Sequence, residues 1–183
     1  MNKLIYVTII TVVGLIIYGC ENNLPNTNNG PDLENYTPTP FELTVPPTFP
    51  QPKIPADNPL TVEGISLGRH LFWDPILSKD STLACAGCHA PNLGFGDDLI
   101  SSVGVEGIAG KRNSMPLFNL AWSPQFLWDG SAATLEEQIL NPVRDPVEMH
   151  LDWLSAAKRL QNHPTYPTMF AKAFGASLSL IHI

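Results

Sequence analysis

The chain has 183 residues, with 10 Lys and Arg against 17 Asp and Glu, a net charge of −7 and 44% hydrophobic residues. An acidic balance of this size argues against a nucleic-acid partner and is compatible with basic electron-transfer partners. No internal repeat is present.

Lys3 is followed by an apolar run from Leu4 to Tyr18 that matches the h-region of a secretory signal and is too short for a comfortable membrane span. The run ends at Ile17-Tyr18-Gly19-Cys20, which resembles a bacterial lipobox, in which the cysteine is acylated and becomes the first mature residue. Residues 1–19 therefore read as a lipoprotein signal peptide, with an uncleaved anchor as the alternative. Either reading puts the folded part outside the cytoplasm, in the periplasm, tethered to a membrane. Glu21 after the cysteine favours the outer membrane.

Residues 20–55 are rich in Pro, Asn and Thr, and ten of the 18 prolines fall between Pro25 and Pro59. Such a stretch buries no core and is expected to be a disordered, extended tether. Its end, from Phe41 to Pro55, has enough Phe, Val and Ile to lie along the folded domain. Residues 56–175 then form one compact domain, followed by a tail at 176–183.

Within the domain the pattern is helical, with no convincing period-2 strand. Thr61 opens and Asp74-Pro75 closes a helix over Thr61 to Trp73, in which Val62, Ile65, Leu67, Leu71 and Phe72 fall near helical spacing. Next comes Cys85-Ala86-Gly87-Cys88-His89, the pentapeptide of covalent c-type haem attachment. Two thiols three positions apart reach the two vinyl groups of one porphyrin, and the following imidazole turns onto the iron. Cys85 and Cys88 are thus the thioether anchors and His89 the axial ligand. A zinc site would need four ligands, and Cys20 is committed elsewhere. A thioredoxin-type pair would need a strand-helix context, whereas Thr82-Leu83-Ala84 precedes this motif and a Pro/Gly loop follows it.

Residues 90–130 are dense in Gly, Asn, Ser and Pro and are expected to form a long ordered loop packed around the porphyrin, which replaces the missing hydrophobic core. Three more helices follow: Thr134 through about Leu140, Asp152 through about Leu160, and one begun by Thr165 or Pro167 that ends at Gly175. The class is all-α, a cytochrome c-like haem domain with long irregular loops.

The haem motif lies within an ordered series of further motifs. Leu67-Gly68-Arg69-His70-Leu71-Phe72-Trp73-Asp74 and Leu77-Ser78 precede it. After it come Gly94-Phe95-Gly96-Asp97, Ser102-Val103-Gly104, Arg112-Asn113-Ser114, Phe118-Asn119, Trp128-Asp129-Gly130, Leu135-Glu136-Glu137-Gln138 and Pro142 through Glu148-Met149. Over residues 60–175 this series resembles the N-terminal, peroxidatic haem domain of the bacterial di-haem cytochrome c peroxidases.

The resemblance implies an enzyme in which one haem c reduces hydrogen peroxide while a second haem, in a C-terminal domain, takes electrons from a small cytochrome c or copper protein. No second haem motif follows Gly175, so the chain reads as the peroxidatic half, truncated before that domain. Many relatives carry a histidine sixteen residues after the proximal one, which closes the iron until reduction; here that residue is Val105. The expectation is a five-coordinate, high-spin ferric haem, unless Met115, Met149 or His150 fills the position.

The family motif gives the proton shuttle of O–O cleavage to Glu137. Glu136 is the neighbouring alternative, and a capping box built by Thr134 and Glu137 is the structural one. Asn113 corresponds to a calcium ligand between the two haem domains; an ordinary turn residue is the competing reading. Arg112 is placed near a haem propionate and Phe118 near an aromatic between the haems. Trp73, Trp122, Trp128 and Trp153 are expected in the haem shell, and His163 at the end of a helix where a cation suits the dipole. The competing function is a membrane-tethered cytochrome acting only in electron transfer, its iron capped by Met115 or Met149.

Overall fold

The computed structural model describes Leu33, residues 36–176 and Leu178. The leader, the lipobox with Cys20 and the Asn-rich start of the tether lie outside the described residues, as does His182.

The first helix, α1 (Val62–Trp73), starts where Thr61 accepts a hydrogen bond from the Gly64 N–H at 3.0 Å and stops at Asp74, whose side chain caps the 3-10 turn Pro75–Leu77. A single turn, α2 (Cys85–Cys88), carries the haem motif. The remaining helices are α3 (Leu135–Arg144), α4 (Trp153–Gln161) and α5 (Tyr166–Phe174). Among the described residues there is no strand, only isolated bridges that pinch loops shut.

Two ends differ from the sequence expectation. The third helix was expected to stop near Leu140 but runs through Pro142 to Arg144. An interior proline removes one ladder bond. Tertiary contacts offset it: Val143 is fully buried, and the carbonyls of Pro142 and Val143 accept from the N–H groups of Met149 and Leu151 at 3.1 and 2.8 Å. The start of α5 is served by His163, whose Nδ1 accepts from the Thr165 N–H at 3.2 Å while its ring lies 4.8 Å from that of Tyr166. His163 thus serves the start of the next helix as an acceptor.

The core is a helical cluster of Leu67, Leu77, Val143, Met149, Leu151, Ala156, Leu160, Tyr166, Phe170, Ala173 and Leu178. It joins α1 to α5, α5 to α4, and α4 to the turn at Pro75. Small residues such as Ala156 and Ala173 let the helices approach closely. Leu178 is 7% exposed and its carbonyl accepts from Gln161 at 3.2 Å, so packing continues past Gly175.

The proline-rich approach joins the domain early. Phe41 to Pro55 was expected to lie along it, and the contact begins already at Tyr36. The Tyr36 hydroxyl and both donors of Thr39 bind the Glu63 carboxylate at 2.6–2.9 Å. Phe49 packs edge-on against Trp122, whose Nε1 donates to the Pro50 carbonyl at 2.8 Å. Extended backbone needs partners outside itself, and here side chains of α1 and of the long loop supply them.

Phe170 is 1% exposed at the centre of the cluster. Phe170→Ala should cost about 3–5 kcal/mol in denaturant unfolding. The Tyr36 hydroxyl, with the Thr39 donors behind it, lowers the Glu63 pKa from 4.5 to about 2. A carboxyl so depressed stabilises the fold fully above pH 4.5, and that contribution disappears as pH falls towards about 2. Glu63→Gln should remove this acid-side dependence from a plot of melting temperature against pH.

Candidate haem site

The segment leading to α2 is held on several sides. Ser78 is fully buried; its hydroxyl donates to the Pro75 carbonyl at 3.0 Å and accepts from the Leu83 N–H at 3.1 Å. From α4, Arg159 donates to the carbonyls of Ile76, Ser78 and Lys79 at 3.2, 2.5 and 2.7 Å. A planar fork with several donors suits such a set of acceptors, which a lysine could not match.

Cys85 and Cys88 lie on the single turn of α2, half-buried and not joined in a disulfide. Burial raises the Cys85 pKa; at Cys88 burial is joined by the nearby charges of Asp97 and Glu148. Redox and metal-binding pairs work as thiolates and lie where the thiol pKa is lowered. The surroundings here raise both thiol pKa values, opposite to the shift of an activated redox pair.

His89 Nδ1 lies 3.0 Å from the Phe95 carbonyl oxygen. This contact makes Nδ1 the donor and leaves the Nε2 lone pair for a metal, the usual way in which a ligating imidazole is oriented. Phe95 takes φ +59°, a left-handed conformation unusual for a bulky residue, costing roughly 1–3 kcal/mol. The cost is offset by a closed loop in which the N–H groups of Ala90 and Phe95 bond to the carbonyls of Gly96 and Ala90, both at 2.9 Å. His89 is thus aimed by a backbone carbonyl that only this tight loop can deliver. Ser114 also ties the loop to the motif, its hydroxyl donating to the Cys88 carbonyl at 2.5 Å.

These residues fit a covalently held haem: two thiols on one turn and an imidazole with Nε2 available, while the segments that follow carry exposed apolar side chains. Leu93, Phe95, Leu99, Val103, Ile108, Phe118, Trp128, Leu135 and Ile139 are all at least 37% exposed.

Val105 is 1% exposed, its N–H donating to the Glu148 carbonyl at 2.8 Å. Gly104 makes this approach feasible, because a Cβ there would fall on the Val147 carbonyl. Among the alternative iron ligands, Met149 is spent in the hydrophobic core, Met115 is half-buried, and His150 is exposed in a left-handed turn.

Glu137 makes half of the expected capping box: its own N–H donates to Thr134 Oγ1 at 3.1 Å, but its Oε2 accepts from the Ala133 N–H at 2.9 Å, one residue before the cap, rather than from that of Thr134. Glu136 Oε1 accepts from Asn58 Nδ2 at 3.0 Å. Both acids are exposed in the protein fold. Asn113 and Arg112 are exposed as well, and among the described residues no group of three His, Cys, Asp or Glu is arranged around a metal position. Asp129 and Gly130 form a turn, with Asp129 Oδ1 accepting from the Ser131 N–H at 3.1 Å.

The tryptophans divide. Trp153 packs on the helical core and Trp122 is clasped by the N-terminal segment, which takes both away from a simple haem-shell role. Trp73 and Trp128 are 56% and 57% exposed. Sequence reasoning gave no role to Glu148. Its carboxyl pKa is raised, by burial first and by Asp145 second, and it lies close enough to raise that of Cys88. Only its place beside Met149 in a motif hinted at it.

Residues 62–183 match the family described as di-haem cytochrome c peroxidase. The chain is 41% identical over 131 residues to the methylamine utilization protein MauG of Methylorubrum extorquens, covering 72% of this chain and 36% of that protein. It is 37% identical over 131 residues to the cytochrome c peroxidase Ccp of Escherichia coli, covering 71% of this chain and 28% of that protein. The chain thus spans about a third of the length of such relatives. A crystal structure of a MauG-like protein associated with microbial copper homeostasis superposes with a TM-score of 0.72 at 32% identity, covering 78% of this chain and 43% of that one.

Single replacement of Cys85 or Cys88 by Ala should leave haem held by one thioether, and the double replacement should leave none. Haem staining after denaturing electrophoresis, which retains only covalent haem, checks this.

Proposed function

The chain belongs to the di-haem cytochrome c peroxidase family, and from that premise we propose that it is the peroxidatic domain of a haem peroxidase reducing hydrogen peroxide to water. The observation that carries the reading is the His89–Phe95 contact, which makes Nδ1 the donor and leaves Nε2 as ligand, together with Val105 where a closing histidine would stand.

Haem c, when bound, would supply a redox-active iron for chemistry on peroxide. The chain does the rest. Cys85 and Cys88 anchor the group, His89 Nε2 supplies the axial lone pair, and the Phe95 carbonyl holds the imidazole in its tautomer. Val105 offers no lone pair, so access for peroxide needs no reductive release of a ligand. Glu137 takes a proton from one peroxide oxygen and returns it to the other. Its Oε2 accepts from the Ala133 N–H, so Oε1 is the oxygen it brings to this transfer.

Electrons come from a small periplasmic cytochrome c or copper protein through a second haem domain. Asn113 contributes an amide oxygen to a calcium ion at the junction between the domains, completed by backbone, water and that second domain. Lipidated Cys20 holds the assembly at a membrane facing the periplasm, the outer membrane being favoured.

The test is an optical and electron paramagnetic resonance spectrum of the ferric, haem-loaded chain before and after hydrogen peroxide. A high-spin spectrum that changes within seconds is expected. Glu137→Gln should slow the change by about 10²–10⁴-fold and Glu136→Gln by far less. The reverse order would move the shuttle to Glu136. A low-spin His/Met spectrum indifferent to peroxide would replace the enzyme by a tethered electron carrier.

A further inference from the structure

Beside α1 lies an open hollow of about 550 Å³ lined by Arg69, His70, Trp73, Asp74, Pro75 and Tyr166. Its volume is in the range of small-molecule sites. Its chemistry is mixed in a particular way. Trp73 offers an indole that is 56% exposed, and Arg69, one helical turn before it, offers a guanidinium to the same space. The Tyr166 hydroxyl donates to Asp74 Oδ2 at 2.7 Å, while Asp74 Oδ1 accepts from the Ile76 N–H at 2.9 Å. Both carboxylate oxygens are therefore engaged, which blunts the one negative charge of the lining. His70 Nδ1 lies 2.8 Å from the Ser66 carbonyl, so this nitrogen carries the proton and Nε2 keeps a lone pair.

The hollow is also connected to the haem motif. The Trp73 ring meets that of Phe72 at 5.8 Å, and Phe72 meets Phe95 at 6.4 Å, both edge-on. The Phe95 carbonyl accepts the hydrogen bond of His89. Ring contacts thus run from an exposed indole to Phe95, and the backbone carbonyl of Phe95 completes the line to the His89 imidazole.

We propose that this hollow binds small phenolic acids and that Trp73 passes their electrons, one at a time, through Phe72 and Phe95 to the haem. The binding half follows from the lining: the indole face stacks on an aromatic ring and Arg69 pairs with a carboxylate. The electron-transfer half rests on the peroxidase reading above, with hydrogen peroxide as the oxidant. Each phenol loses one electron and its hydroxyl proton and leaves as a phenoxyl radical. His70 Nε2 takes that proton and releases it to solvent. Two phenols supply the two electrons and two protons that, with cleavage of the O–O bond, turn one hydrogen peroxide into two waters.

The probe is ferulate, with guaiacol as the phenol lacking the carboxylate, and the sample is the full haem-loaded chain. Ferulate binding, read by calorimetry without peroxide, should weaken about tenfold in Arg69→Ala, and guaiacol should bind about as weakly to the unmodified chain. With peroxide and no phenol, peptide mass spectrometry should find oxygen added to Trp73 ahead of the other three tryptophans. Trp73→Phe should keep ferulate binding within about twofold, keep the response of the haem spectrum to peroxide, and lose ferulate oxidation. Binding indifferent to Arg69→Ala, or undiminished ferulate oxidation in Trp73→Phe alongside a normal haem response, overturns the proposal alone. A haem spectrum that ignores peroxide in the unmodified chain overturns the peroxidase reading, and the electron-transfer half falls with it.

Discussion

The contact between His89 Nδ1 and the Phe95 carbonyl is the constraint on which the site depends. An imidazole on a flexible side chain can rotate and can carry its proton on either nitrogen. One backbone acceptor removes both freedoms, and a ligand with a fixed tautomer binds metal at a defined strength. Phe95 presents that acceptor only by adopting φ +59°, so the loop around it is closed by its own hydrogen bonds. The Gly-rich stretch after the motif is therefore part of the ligand's support.

Two kinds of order hold the domain. On one side a small helical cluster buries Phe170, Leu160 and Val143 nearly completely. On the other, residues 90–132 form a series of pinched loops whose bridges, Ala90 with Gly96, Val103 with Ala109 and Phe126 with Ala132, replace regular structure. Arg159 and Ser78 join the two by fixing the segment between α1 and α2. Several apolar side chains of these loops, Phe95, Phe118 and Trp128 among them, are exposed.

Acidic groups collect near the attachment turn. Asp97 and Glu148 both raise the Cys88 pKa, and burial raises that of Glu148 in turn. At Cys88 this grouping adds to burial in raising the thiol pKa, whereas at Cys85 burial does so without it. The proton shuttle proposed at the start of α3 draws on a second acidic pair, Glu136 and Glu137. One is tied to its own helix cap and the other to Asn58 of the N-terminal segment.

Local chemistry made much of this legible from residue order. Thr61, Thr134 and Asp152 open helices because a side-chain oxygen satisfies a free N–H within three residues, and Gly175 ends one because it accepts a left-handed φ. The haem motif was legible for the same reason, since its chemistry lies within five consecutive residues. What residue order left open involves partners far apart in the chain. The helix through Pro142 survives on bonds from Met149 and Leu151, Trp122 is held by Pro50, and the Asp74 carboxylate meets Tyr166. The choice of Phe95 as the acceptor for His89, and the line of rings from Trp73 inward, also arose only on folding. Spacing along a chain specifies contacts within a turn, whereas contacts between turns depend on how the whole backbone closes.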